Sequence, residues 1–131
     1  MSLKQSSRGP SQRQLRVGEL LRKSLSEVFL RSEIQDTDLV GVTIIVSEVA
    51  VSPDNRNATV YVSVFGSDQQ DTVTTALSRH TKFIRGELAP RVDLKFIPSL
   101  EFRLDTSFEY SNRIDQVLKS EKVAQDLDTN T

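Results

Sequence analysis

The chain has 131 residues, enough for one domain that buries about two-thirds of its unfolded surface without staples. It holds no cysteine, which excludes disulfides, thiol catalysis and Cys-ligated metal centres and fits a reducing compartment. The net charge of −1 hides a segregation: residues 1–32 carry seven Lys/Arg against two Glu, 33–72 seven acids against Arg56 alone, and 79–103 six bases against three acids.

Residues 1–10 are polar, end in Gly9-Pro10 and read as a flexible arm. Ser11 is the expected N-cap of a first helix over 12–32, with Gln14 completing a capping box. Val17, Leu20, Leu21, Leu25, Val28 and Phe29 form its apolar stripe, a core face rather than a membrane-binding one. A connection follows over 36–41, then a strand over 42–51 rich in β-branched residues. Ser52-Pro53-Asp54-Asn55-Arg56-Asn57 is a concentrated turn signal. In the next strand, 58–65, Val60, Val62 and Val64 alternate with Thr59, Tyr61 and Ser63, which predicts a hairpin with one buried face. Val73, Ala76, Leu77, Ile84 and Leu88 mark helical segments between 69 and 92, interrupted by a break or kink, since Gly86 and Pro90 weaken a continuous helix. Pro98 suits a strand start, and the third strand points Leu100, Phe102 and Leu104 inward. A last helix is expected over 108–123, capped by Asp105 and Ser107, before a frayed acidic tail. These elements predict a single α+β domain over 11–120, flanked by the arm and a flexible tail over 121–131, with the helices on one face of a three-stranded sheet.

Catalytic constellations are missing. His80 is the only histidine; beside Arg79 and Lys82 it reads as an exposed helix residue rather than a metal ligand or general base. Asp36, Asp38, Asp68 and Asp71 lie near element ends, where N-capping explains them better than a carboxylate dyad. The five glycines are too dispersed for a phosphate-cradling loop or the GXXG loop of ordinary KH domains. The two Tyr and six Phe sit mostly at core-facing spacings, Phe83 included, which argues against an aromatic stacking platform. No cofactor and no metal is expected, and the chain reads as a binding module, not an enzyme. No run of apolar residues exceeds three, which excludes a membrane-spanning helix and a signal peptide; the expected location is cytosolic, or the equivalent organellar compartment.

Val49-Ala50-Val51-Ser52-Pro53-Asp54 with Ala58-Thr59-Val60-Tyr61-Val62-Ser63-Val64 resembles the hairpin signature of the ribosome-binding factor A family, and Phe83-Ile84-Arg85-Gly86-Glu87-Leu88 resembles that family's second helical block. Pro98-Ser99-Leu100-Glu101-Phe102-Arg103-Leu104-Asp105 resembles its third strand, Arg13, Arg16 and Val17 the opening of its first helix, and Arg113-Ile114 its closing helix. The resemblance runs from Arg13 to Leu118 and implies a KH type II-like domain of order α-β-β-α-kink-α-β, with a C-terminal helical segment packed near the sheet. The family's Ala-x-Gly kink motif falls on His80-Thr81-Lys82. With neither small residue present, the expected kink is milder, or shifted toward Gly86.

The resemblance further implies a factor that binds the free small (30S) ribosomal subunit and its 16S rRNA and supports late maturation, including 5′-end processing, with importance in the cold. The implied partners are the small subunit, its rRNA and other assembly factors or an assembly GTPase; a monomer is expected. The residues fit this role, because a small domain with two basic blocks can present a basic face whatever its net charge. Arg13, Arg16 and Lys23 on the first helix, Arg79, Lys82 and Arg85 around the break, and Arg91 and Lys95 beyond it are the candidate phosphate contacts. The competing expectation is a KH-like protein-interaction module that never touches RNA and binds through its acidic hairpin or a spare sheet edge. Salt separates the two, since only phosphate contacts weaken steeply as it rises.

Overall fold

The computed structural model describes residues 9–106. Helix α1, Gln12–Arg31, starts where the capping box was expected. The Ser11 hydroxyl accepts from the Gln14 amide (3.2 Å), and the Gln14 side chain accepts from the Ser11 amide (2.9 Å). The same Gln14 side chain donates to the Val51 carbonyl (2.9 Å), fastening the helix start to the hairpin. Leu21, Leu25 and Val28 are fully buried, whereas Leu20 is 37% exposed. Its place on the inner face is taken by Gly18, which lets the helix backbone press against that of the next strand.

Asp36 caps a short 3-10 turn, Thr37–Leu39, by accepting from the Asp38 amide. Strands β1, Thr43–Val51, and β2, Asn57–Phe65, pair antiparallel. The register shifts between Val46 and Glu48, so that Ser47 bulges and its hydroxyl donates to the Tyr61 carbonyl (3.1 Å). The bulge changes the phase of burial along β1: Val46 faces the core before it, Val49 and Val51 after it. The hairpin loop is the expected turn. Asp54 accepts from the Ser52 hydroxyl and the Arg56 amide, Ser52 accepts from the Asn57 amide, and Asn55 takes a φ of 60°.

Helices α2, Gln70–Arg79, and α3, Thr81–Leu88, follow, then a 3-10 turn over Ala89–Arg91 that holds Pro90. Strand β3, Ser99–Leu104, begins directly after buried Pro98 and pairs parallel with β2, giving the order β1-β2-β3. The helices cover one face of this sheet. Val60 and Val62 on β2, Val73 and Leu77 on α2, Ile84 and Leu88 on α3 and Phe102 on β3 close the core with α1; Phe29 meets Phe102 edge-on at 6.2 Å. The result is the expected α+β, KH type II-like order. No helix among the described residues is long and apolar enough to cross a membrane. Residues 1–8 of the arm, the tail, and the last helix expected over 108–123 with Ser107 before it lie outside the described residues.

Two expectations are corrected. Of the aromatic rings, Phe65, Phe83 and Phe96 are exposed, at 46%, 43% and 73%. Phe83 falls outside the core because Ile84 and Leu88, on an adjacent stripe of α3, take the inward positions. Asp68 caps nothing: the N-cap position of α2 is Gln69, without a side-chain bond, and Asp71 lies in the first turn.

Candidate nucleic-acid interface

The helical block breaks at His80 and not at Gly86. His80 leaves helical geometry (φ −112°, ψ 19°); its amide still bonds the Leu77 carbonyl, and its own carbonyl accepts from Ile84 to start α3. Gly86 sits inside α3 with open space around it. Lys82 is helical, so the absence of a glycine there needs no positive φ. Thr81 behaves as expected of a helix-disturbing hydroxyl, donating to the Ser78 carbonyl (3.3 Å).

The elbow is held by charges distant in sequence. One Arg79 guanidinium nitrogen lies 2.9 Å from both Asp36 and Asp38, and His80 Nε2 lies 2.8 Å from Asp36. His80 is thus half-buried against a carboxylate, not the exposed helix residue expected. Asp36, 10% exposed, receives the Asp38 amide, His80 and Arg79, which hold its carboxyl at about 2 instead of the ordinary 3.8. Its two carboxylate partners hold the Arg79 guanidinium above its ordinary range. Because the folded-state value is the lower one, this cluster stabilises fully above 3.8 and its contribution fades as pH falls toward about 2. In acid-unfolding curves the stability advantage of the wild type over Asp36→Asn should therefore shrink across that window. An advantage that stays constant there would show that the cluster does not hold the elbow.

The eight candidate cations divide into two sets. Arg79 is held as described. Arg85 donates to the Pro98 carbonyl (3.1 Å) and the Ile97 carbonyl (2.7 Å), and Arg91 to the Glu87 carbonyl. Arg85 therefore ties α3 to the start of β3 instead of facing solvent. Arg85→Lys, whose single ammonium cannot span both carbonyls, should cost about 1–2 kcal/mol in denaturant unfolding and leave the salt dependence of ligand binding unchanged. Arg13, Arg16, Lys23 and Lys82 are exposed and make no ion pair or side-chain hydrogen bond among the described residues. Arg16 and Lys23 share the face of α1 turned away from its buried stripe, and Arg13 lies in the first turn nearer the edge of that stripe. Lys95 is exposed, its ammonium 5.5 Å from the centre of the Phe96 ring. Sequence reasoning missed Asp36 and Asp38 as counter-ions of the elbow, and Phe83 as a surface residue. The acidic block at 33–72 was the available signal, although charge alone does not tell which cation it meets.

At the elbow, Arg79, His80, Lys82, Phe83, Gly86 and Glu87 line a shallow open concavity. Among the described residues it offers one free cation and one exposed ring, with no nucleophile and base in contact. The family model described as ribosome-binding factor A matches residues 13–118. The chain belongs to the ribosome-binding factor A family. A ribosome-binding factor A from Methylorubrum extorquens (strain PA1) is 49% identical over 129 residues, covering 98% of this chain and 89% of that relative. The crystal structure of ribosome-binding factor A from Thermus thermophilus superposes with a TM-score of 0.59 at 27% identity, covering 70% of this chain and 93% of that one. A Thermus thermophilus ribosome-binding factor A model fitted into a cryo-EM map of its complex with the 30S subunit gives 0.55 at 27% identity, covering 68% and 91%. The bend lies at His80, between α2 and α3, within the His80-Thr81-Lys82 segment.

Proposed function

We propose that this protein is a non-catalytic assembly factor that binds the free 30S subunit through 16S rRNA and supports late maturation of that RNA, including its 5′ end, with its greatest importance in the cold. The observation that carries the reading is the pairing of the family fold with uncommitted cations on α1 and at the elbow. Arg13, Arg16, Lys23 and Lys82 supply phosphate contacts that orient the protein without reading sequence, and Lys95 adds a fifth. The start of α3 adds the positive end of a helix. Specificity comes from the folded shape of the rRNA and neighbouring ribosomal proteins. Binding one rRNA conformation more tightly than its alternatives shifts the population toward it, so maturation is helped without a chemical step. The 30S complex fitted for the Thermus thermophilus relative supports this partner. The protein acts as a cytoplasmic monomer, with other assembly factors, an assembly GTPase among them, meeting it on the subunit.

Sedimentation through sucrose gradients with separated subunits tests the proposal. Co-migration with small subunits alone, abolished at high salt, is the expected result. Binding that ignores salt would favour the protein-interaction reading.

A further inference from the structure

The geometry points to an unpaired nucleobase stacked on Phe83, with the adjoining phosphate held by Lys82; this rests on the RNA-binding reading above and names the form of RNA the elbow takes. Phe83 is 43% exposed and is the one large apolar side chain in the lining of the elbow concavity. It lines the elbow concavity with Lys82 before it and Gly86 after it. A Cβ on Gly86 would meet nothing within 4 Å, so the helix surface beside the ring is bare and a flat group can lie there unobstructed. Lys82 is exposed and makes no ion pair or side-chain hydrogen bond among the described residues. Glu87 stands one helical turn beyond Phe83, its carboxylate accepting from the Ser32 hydroxyl (3.3 Å) and lying 3.8 Å from Arg91. Glu87, Arg91 and Arg79 are therefore already partnered, and Lys82 is the uncommitted cation in the concavity. An exposed ring beside one unpaired cation suits a base with its phosphate on that cation. An aliphatic protein side chain would leave the cation unused. Duplex RNA keeps its bases stacked inside, so the occupant is a single-stranded or looped segment.

The chain contains no tryptophan, so Phe83→Trp gives it a single indole reporter. Phe65→Trp, at a ring of similar exposure (46%) on the end of β2, is the control. Both variants, and Phe83→Leu, would be checked for wild-type thermal unfolding. They would then be titrated with an oligoadenylate of about twelve nucleotides, a duplex of the same length and isolated small subunits. The expected result is that the single strand and the subunits quench the indole at position 83 and leave the emission of the indole at position 65 unchanged. Phe83→Leu should weaken single-strand binding about tenfold and leave duplex binding as it was. Salt-sensitive RNA binding with the position-83 emission and the Phe83→Leu affinity both unchanged would overturn the stacking inference while the RNA-binding reading stood. A blue shift of the position-83 indole on subunits without quenching would mean that protein covers the ring, and would also overturn it. Failure of the wild type to bind subunits would overturn the functional reading, and the stacking inference with it.

Discussion

Gly18→Val should lower the thermal midpoint by more than about 10 °C, the equivalent of about 3 kcal/mol for a domain of this size. A Cβ at position 18 would lie well inside van der Waals contact with the Val49 carbonyl oxygen, and the Val51 side chain is the next neighbour at 3.8 Å. Neither can retreat easily. Val49 pairs with Val60 in the sheet, Val51 with Ala58, and the Val51 carbonyl is also tied to Gln14. Accommodating valine means lifting α1 off β1 and opening the contacts of Leu21 and Leu25. Gly18→Ala meets the same carbonyl but gains up to about 1 kcal/mol of helix propensity, so its destabilisation is smaller. Gly86→Ala is the internal control: the same substitution in open helix surface should stabilise by about 0.5–1 kcal/mol. Thermal unfolding of the three variants side by side tests backbone proximity against helix propensity.

Replacing Arg13, Arg16, Lys23 and Lys82 together by alanine should reduce affinity for small subunits by about two to three orders of magnitude at moderate salt. The slope of log affinity against log salt should flatten by as much as about 3, near 0.7 for each single-strand phosphate no longer neutralised. Thermal stability should barely move, because these side chains are exposed and unpaired among the described residues. The reverse pattern is expected for Arg85→Ala, which removes two hydrogen bonds to backbone carbonyls and therefore costs stability rather than slope. Arg79→Ala has a mixed effect, since it takes away a cation and leaves Asp36 and Asp38 without their shared partner. Equal slopes for the quadruple variant and the wild type would show that the free cations are not where phosphate binds.

Much of the fold was legible because local signals and burial agree. The Ser11 cap, the stripe of Leu21, Leu25 and Val28, the Ser52–Asn57 turn and the valines of β2 each state their role in a few adjacent residues. The bulge at Ser47 was visible only as a change of phase, from Ile44 and Val46 to Val49 and Val51, inside a run that reads as one strand. The candidate site was less legible for a different reason. Charge at Arg79, Arg85 and Arg91 is plain in the sequence, but whether each meets phosphate, carboxylate or a backbone carbonyl depends on what the fold carries to it. The Asp36 partner of Arg79 is 43 positions away, and the Ile97 carbonyl that holds Arg85 becomes an acceptor only once β3 is docked. Phe83 misled in the same way, since two neighbouring stripes of a short helix are both compatible with the apolar spacing.

The two pairings of β2 differ greatly in how much chain they enclose. Its antiparallel bonds to β1 close through a hairpin turn of a few residues, while its parallel bonds to β3 join Asn57 to Ser99 and enclose both helices of the elbow. Loop-closure entropy places the hairpin early and the parallel pairing late, after the intervening helices have shortened the gap. On a nascent chain the hairpin and α1 can therefore associate while the third strand is still unmade. Arrival of Ser99–Leu104 then completes the sheet, and with it the carbonyls that anchor Arg85, so the elbow takes its final form in the last stage of folding.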